Sequence, residues 1–166
     1  MKIYICCHKP CSVPVSNILQ PIQVGKANSK FDLNMVSDNT GDNISDKNKY
    51  FCELTATYWI WKNTKDDIVG LYHYRRYLNL KSDHTRKNKI KPNFPQWSGN
   101  TPERIRFLLK TYDILLPPKG GSRKHPKSLY NLYKEVHIIS DLDAMLDVIK
   151  EKYPHQYKTA YTVQHN

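Results

Sequence analysis

The hydrophobic pattern of the first 80 residues predicts three strands separated by a loop and a helix. Residues 2–8 (KIYICCH) form an apolar run that stops before Pro10, and we expect a buried first strand there. Residues 21–25 (PIQVG) are predicted to be a second, short strand. The apolar run at 68–74 predicts a third strand, and the Asn-, Asp- and Ser-rich stretch at 28–48 predicts a loop.

A helical repeat begins where that loop ends. Residues 47–63 place apolar side chains at steps of three and four, which is typical of a helix that faces a core. The predicted core-facing stripe consists of Phe51, Leu54, Tyr58 and Trp61. Either Ser45 or Asp46 is expected to cap the start of this helix.

The middle of the chain combines a long polar stretch with a clear helix start. Residues 79–100 are basic and polar and contain two prolines and a glycine, so we expect a long loop. Residues 101–103 (TPE) supply a capping Thr, a Pro at the first helical position and an early acid. The buried face of that helix is predicted to be Ile105, Leu108 and Leu109.

Further elements are predicted towards the carboxyl end. A strand is expected at 112–116 and a helix at 129–137. A second helix is expected to start with Ser140 as its cap and to stop at Pro154. Its inward side chains are predicted to be Leu142, Met145, Leu146 and Ile149.

Strands that alternate with helices predict an α/β fold with a mostly parallel sheet flanked by helices. Residues 1–156 are expected to form one domain, and residues 157–166 a polar tail without a regular element. Three or four strands make a small sheet, so we expect further structure to belong at the carboxyl end.

Charge narrows the classes of partner. The 166 residues include 26 basic and 15 acidic ones, a net charge of +11, which favours nucleic acid, an anionic membrane face or a phosphorylated substrate. There is no apolar run of membrane-spanning length and no signal peptide, so a cytoplasmic location is expected. The four cysteines are expected to be reduced thiols, with Cys6 or Cys7 in the core.

The richest candidate site follows the strand at 68–74. His73, Arg75 and Arg76 stand at its end, where ligands bind in open α/β sheets. Guanidinium groups match phosphate oxygens with their planar donor forks, so this cluster suits a phosphate-bearing ligand. The alternative is a strand end whose arginines are simply solvated.

Two further segments are candidates for the same site. His8 and Lys9 follow the first strand and would contact a nucleotide base or phosphate, or else face water in a turn. The loop at 38–45 contains Asp38, Asn39, Asp42 and Asn43, which suit a ribose or sugar, or oxygen ligation of a divalent metal. The alternative is an ordinary turn with Asx caps.

The sequence allows two roles for each of three acids and one histidine. Glu53 would pair with Arg75 or Arg76 in a structural role, or act as a base if no cation holds it. Asp141 and Asp143 have the D-x-D spacing of a metal–nucleotide site, but they also suit a helix start. His137 would face a cleft or solvent.

Taken in order, the motifs IYICCHK, PIQVG, DNTGDNIS, CELTATYWIWKN and GLYHYRRYL closely resemble a bacterial glycosyltransferase family. That family occurs in capsular and exopolysaccharide gene clusters and was long labelled a domain of unknown function. YDILLP and SLYNLYKEVHIISDLD also resemble it, so the resemblance runs from residue 2 to about residue 153.

The resemblance implies a GT-A-like, Rossmann-like domain that transfers a hexose from a nucleoside diphosphate donor, a UDP-sugar. The implied acceptor is a capsular polysaccharide, exopolysaccharide, lipopolysaccharide or lipid-linked glycan. Most GT-A enzymes have a D-x-D after the strand that here reads IVGLYHYRR, and no acid stands there. Either Arg75, Arg76 and His73 grip the diphosphate without Mg²⁺ or Mn²⁺, or acids come from another loop. Relatives also continue further, so this chain is expected to lack a carboxyl-terminal part.

On this interpretation, His8 and Lys9 border the nucleotide, and Asp38, Asn39, Asp42 and Asn43 face the nucleotide or sugar. His73, Arg75 and Arg76 hold the diphosphate, and His137 and Asp141 lie on the acceptor side. No catalytic base, metal ligand or nucleic-acid partner is predicted. The basic loops at 81–91 and 119–127 are expected to touch the inner face of the membrane. The alternatives are a non-catalytic module for nucleic acid or another polyanion, and an inactive transferase fragment.

Overall fold

A computed structural model describes residues 1–14, 16–80, 100–117, 121–122 and 125–165. The predicted loop at 79–100, with its basic stretch at 81–91, lies largely outside these residues, as does part of the basic stretch at 119–127. The chain divides into two compact units, Met1–Leu115 and Leu116–Asn166. The assignment of residues 1–156 to one domain stays a prediction.

The first unit contains a four-stranded sheet in the order β3-β2-β1-β4, and every neighbouring pair is parallel. Its strands are β1 (Lys2–Cys7), β2 (Leu19–Gln23), β3 (Val36–Ser37) and β4 (Val69–His73). Ile3 lies opposite Leu19 of β2 and Gly70 of β4. The predicted α/β fold with a mostly parallel sheet is therefore confirmed.

Strand β1 is the centre of the core because it is buried on both faces. Ile3, Ile5 and Cys7 pack on one side, where Ile105 joins them. Tyr4 and Cys6 point to the other side, whose further members are Ile22, Val24, Ala56 and Ile60. An uninterrupted apolar run is what a central parallel strand requires, since both of its faces are covered.

The predicted helix at 47–63 is split in two. Helix α1 (Asn48–Phe51) ends at Cys52, whose φ of 47° lies in the left-handed region, and α2 (Leu54–Asn63) follows. A short 3-10 turn, Ser45–Lys47, precedes α1, and neither Ser45 nor Asp46 caps the helix by its side chain. The Ser45 hydroxyl bonds Asp38 instead.

The predicted core-facing stripe of α2 is wrong. Thr55, Ala56 and Ile60 are buried, whereas Leu54 and Trp61 are exposed. Small side chains at 55 and 56 let this face of the helix approach the sheet closely. The larger apolar side chains therefore lie on the outer face.

Helix α3 (Pro102–Leu108) starts as predicted, because the Thr101 hydroxyl accepts a hydrogen bond from the Arg104 N–H. Ile105 is buried, and Leu108 and Leu109 pack against the same core. The strand predicted at 112–116 is wrong: these residues join no ladder within the described part of the chain. Leu115 still packs on the core while Ile114 is exposed.

The second unit contains a short antiparallel pair and three helices. The pair is β5 (Gly121–Ser122) with β6 (His125–Pro126), and the helices are α4 (Leu129–Val136), α5 (Ile139–Lys152) and α6 (Pro154–His165). Both predicted helices are confirmed, but no side chain caps α5, so the predicted cap at Ser140 is wrong.

Helix α6 occupies the stretch that was predicted to be an irregular polar tail. Pro154 suits a first helical position because its missing N–H needs no partner there. Gln164 is buried near the end of the helix, so α6 is packed in spite of its polar sequence. No helix among the described residues combines the length and the apolar character that crossing a bilayer needs.

Candidate functional site

Parallel pairing brings the polar ends of β1 and β4 to the same edge of the sheet. The Tyr74 N–H donates to the Cys6 carbonyl over 3.1 Å, which places His8 beside the 73–76 segment. The His8 ring lies 6.4 Å from the His73 ring and 5.3 Å from the Tyr74 ring, measured between centroids. The structure therefore brings together the two predicted clusters, although their contact with a ligand stays a prediction.

A tight turn fixes the residues that follow β4. The Arg76 N–H donates to the His73 carbonyl over 2.9 Å, and the Arg75 N–H donates to Nδ1 of His73 over 3.2 Å. Because Nδ1 accepts, the ring proton is assigned to Nε2, which lies 3.6 Å from Oε1 of Glu53.

Burial lowers the pKa of His73 below its ordinary value of 6.5. Glu53 opposes this shift, whereas the nearby charges of Arg75, Arg76 and His8 add to it. His73 is therefore a neutral N–H donor near pH 7 rather than a third fixed cation.

Arg75 and Arg76 project into a cavity of about 370 Å³. We call it the arginine cavity; its lining consists of Glu53, Leu71, Tyr72, His73, Arg75 and Arg76. Within residues 1–80, 100–117 and 125–165, apart from residue 15, neither guanidinium forms an ion pair with a carboxylate. Two cations without acidic partners in a concave site can accept an anion from solution.

Two cations of the site lie next to the aromatic ring of Tyr74. Its ring is buried, and Arg75 lies 5.1 Å and the Lys9 ammonium 5.8 Å from the ring centroid. The face of an aromatic ring attracts such charges, so Tyr74 holds both cations near the sheet edge. Tyr74 was not among the predicted site residues, and its only signal in the sequence was its place within the cationic cluster. Glu53 was predicted to pair with Arg75 or Arg76 or else to act as a base; among the described residues it pairs with neither arginine and lies near His73 instead.

Asp38 is completely buried, and its carboxylate is saturated. It accepts from the backbone N–H groups of Gly25 and Lys26 and from the hydroxyls of Ser45 and Thr55. With four internal donors, the carboxylate ties the loop to β2 and α2. The geometry corrects the expectation that its carboxylate faces a nucleotide or sugar.

The rest of the predicted loop lies at the surface and is fixed to α2. Asn39 and Asp42 are exposed, and Asn43 is partly buried. Asp42 accepts from the Tyr58 hydroxyl over 3.0 Å, and the Asn43 carboxamide accepts from the Ser45 N–H over 3.2 Å. Ligand contacts from Asn39, Asp42 and Asn43 stay predictions.

Two predicted acceptor-side residues belong to the second unit. His137 follows α4, is exposed, and has its ring 4.6 Å from that of Tyr133. Asp141 is exposed in the first turn of α5. Their roles stay predictions.

The donor set of the arginine cavity does not fit a divalent metal. It offers one carboxylate, an imidazole that presents its N–H, and two cations that repel a third. Among the described residues, no three His, Cys, Asp or Glu side chains come together in a metal-binding arrangement.

These features define an α/β domain of the GT-A-like, Rossmann-like class that carries two arginines at one edge of its sheet. The chain belongs to the family described as a domain of unknown function, DUF4422, whose model matches residues 2–166.

Comparison with solved structures finds a chain titled as the apo structure of WbbM, a bifunctional glycosyltransferase. The two chains share 36% identity with a TM-score of 0.82, over 98% of the present chain and 31% of the other. The present chain thus spans about a third of the length of that relative. No curated protein matches the sequence.

Proposed function

We propose that this chain binds the diphosphate of a UDP-sugar and contributes to the transfer of a hexose to a bacterial surface glycan. The arginine cavity carries the proposal, because two guanidinium groups line it at the carboxyl edge of a parallel sheet and pair with no carboxylate in the part of the chain that the structure describes. The 36% identity to a chain titled as a bifunctional glycosyltransferase supports the activity class.

In the proposed reaction, the bond between the anomeric carbon and the diphosphate oxygen breaks, and its electron pair leaves with UDP. Arg75 and Arg76 stabilise this growing negative charge by charged hydrogen bonds. The acceptor hydroxyl oxygen forms the new bond to the anomeric carbon. Its proton goes to Glu53, the carboxylate in the cavity lining.

The other residues position the donor. We propose that the His73 Nε2–H donates to a diphosphate oxygen when it is not directed at Glu53, and that His8 and Lys9 border the nucleotide. Asn39, Asp42 and Asn43 would face the nucleotide or sugar. His137 and Asp141 would serve the acceptor, which we propose to be a capsular polysaccharide, exopolysaccharide, lipopolysaccharide or lipid-linked glycan handled in the cytoplasm.

Titration calorimetry with UDP tests the donor site. Replacement of Arg75 or Arg76 by Ala should each weaken UDP binding by about 1.5–3 kcal/mol, the range for a charged hydrogen bond. Arg106→Ala is the matched control, because it also removes one positive charge but from a side chain that pairs with Asp67. Equal losses in all three variants would point to a general charge effect and contradict the proposed site.

Two additions separate the alternatives. UDP affinity should be the same with magnesium and with a chelator, and a short oligonucleotide should bind more weakly than UDP at moderate salt. Salt-sensitive oligonucleotide binding without a UDP signal would favour a polyanion-binding module.

Glu53→Gln should keep UDP affinity and lose release of UDP from UDP-sugars. UDP binding by the unaltered chain without any turnover would identify an inactive fragment.

A further inference from the structure

The apolar stripe of helices α1 and α2 lies on the surface of the first unit. Tyr50 is 78% exposed, Phe51 44%, Leu54 58% and Trp61 70%, and Tyr58 is partly exposed. Leu54, Tyr58 and Trp61 share one face of α2, because steps of four and three residues return to the same side of a helix. We call these five side chains the aromatic face.

The aromatic face does not supply the contacts that pack α2 on the sheet. The opposite side of α2 supplies the buried contacts through Thr55, Ala56 and Ile60. Large apolar side chains that cluster on a surface mark a site of interaction, whereas single ones need no explanation.

Lysines interleave with the aromatic face. The Lys62 ammonium lies 3.9 Å from the Trp61 ring centroid and 5.7 Å from that of Tyr58, and the Lys49 ammonium lies 5.7 Å from the Tyr50 ring. Of the neighbouring acids, Asp42 accepts from the Tyr58 hydroxyl and lies 3.9 Å from the Lys62 ammonium, and Glu53 faces His73. The face therefore presents aromatic rings and ammonium groups together, on a chain whose net charge is +11.

We propose that the aromatic face docks on an anionic lipid surface. Trp and Tyr favour the level of the lipid headgroups, Phe and Leu enter the acyl boundary, and lysines reach the phosphates. A second copy of the chain would bring Lys49 and Lys62 against their own like charges. A neutral glycan would gain nothing from the lysines, and a nucleic acid would gain little from Leu54 and Phe51. The proposal does not depend on the proposed sugar transfer.

Co-sedimentation with lipid vesicles tests the proposal. The intact chain should bind phosphatidylcholine vesicles that contain about one third phosphatidylglycerol, and bind pure phosphatidylcholine vesicles at least about tenfold more weakly. Trp61→Glu and Leu54→Glu should each reduce binding to the anionic vesicles by about tenfold or more. The matched control is Phe107→Glu, which makes the same charge change at another exposed apolar residue, on α3.

Thermal unfolding should be alike in all three variants, because each altered side chain is exposed. If Phe107→Glu and Trp61→Glu lost vesicle binding equally, the loss would come from the change in net charge alone, and the proposal would be overturned. Absence of binding to the anionic vesicles would also overturn it. So would a dimer in sedimentation velocity that Trp61→Glu dissociates, because the occupant would then be a second copy.

Discussion

The Nε2 atom of His73 lies 3.6 Å from Oε1 of Glu53, across the gap between the end of β4 and the start of α2. The Arg75 N–H donates to the other ring nitrogen over 3.2 Å, so the turn orients the imidazole and leaves Nε2 on the side of Glu53. The orientation depends on a backbone turn and a helix start that are 20 residues apart in sequence. It makes His73 a positioned donor beside two cations.

The lowered pKa of His73 predicts a dependence of stability on pH. Between pH 6.5 and the lower pKa in the folded state, the unfolded chain binds a proton that the folded chain does not. This residue should therefore reduce the free energy of unfolding as pH falls through that window. Measured by urea unfolding, the free energy of unfolding should fall less for His73→Gln than for the parent protein between about pH 7.5 and about pH 5.5. An equal fall in both proteins would contradict the prediction.

Asp38→Asn should destabilise the first unit by about 3 kcal/mol, because an amide group cannot accept from all four donors and leaves at least one buried and unpaired. The measurement is the free energy of unfolding in urea. Asp42→Asn, at an exposed position of the same loop, should cost less than about 1 kcal/mol. Similar losses in the two variants would show that the buried carboxylate has no special role.

Gly41→Ala should lower the free energy of unfolding by about 2 kcal/mol, since φ is 55° there and L-residues are strained in that region. An added Cβ would also clash with Oδ1 of Asn63, which accepts from the Asp42 N–H. Asn39→Ala is the control in the same loop. A Gly41→Ala protein as stable as the parent would mean that the loop can adopt another conformation.

Thiol labelling should separate the four free cysteines into two classes. Burial raises the pKa of Cys6 to about 12 and also raises that of Cys7, so neither forms the reactive thiolate near neutral pH. Cys52 is exposed and Cys11 partly so. Mass spectrometry should find a maleimide first on Cys52, then on Cys11, and on Cys6 and Cys7 only in denaturant. Early labelling of Cys6 would contradict the burial of β1.

The parts of the fold that local sequence determines were predictable. β1 and β4 are apolar runs that end in polar residues, and α3 starts at a Thr whose hydroxyl caps it. Parallel pairing then places the ends of β1 and β4 side by side, so the meeting of His8 with His73 follows from topology.

Other features depend on contacts that periodicity does not contain. The spacing of apolar residues divides α2 into two faces. It does not show which face packs on the sheet, and in the structure it is the face with Ala56. The strand predicted at 112–116 is wrong because a strand needs a ladder partner, and none of the described strands pairs with it. A local pattern cannot show whether such a partner exists. The role of Asp38 rests on Thr55, 17 residues away, and on Gly25, 13 residues away.

Glu53 lines the arginine cavity and Leu54 belongs to the aromatic face, so a single peptide unit of about 3.8 Å joins the two. A bilayer that accepts Leu54 would hold the cavity at headgroup height. Under the proposed function, an acceptor on a lipid anchor would then reach the cavity by a two-dimensional search within the leaflet, while the proposed nucleotide donor would arrive from the bulk phase.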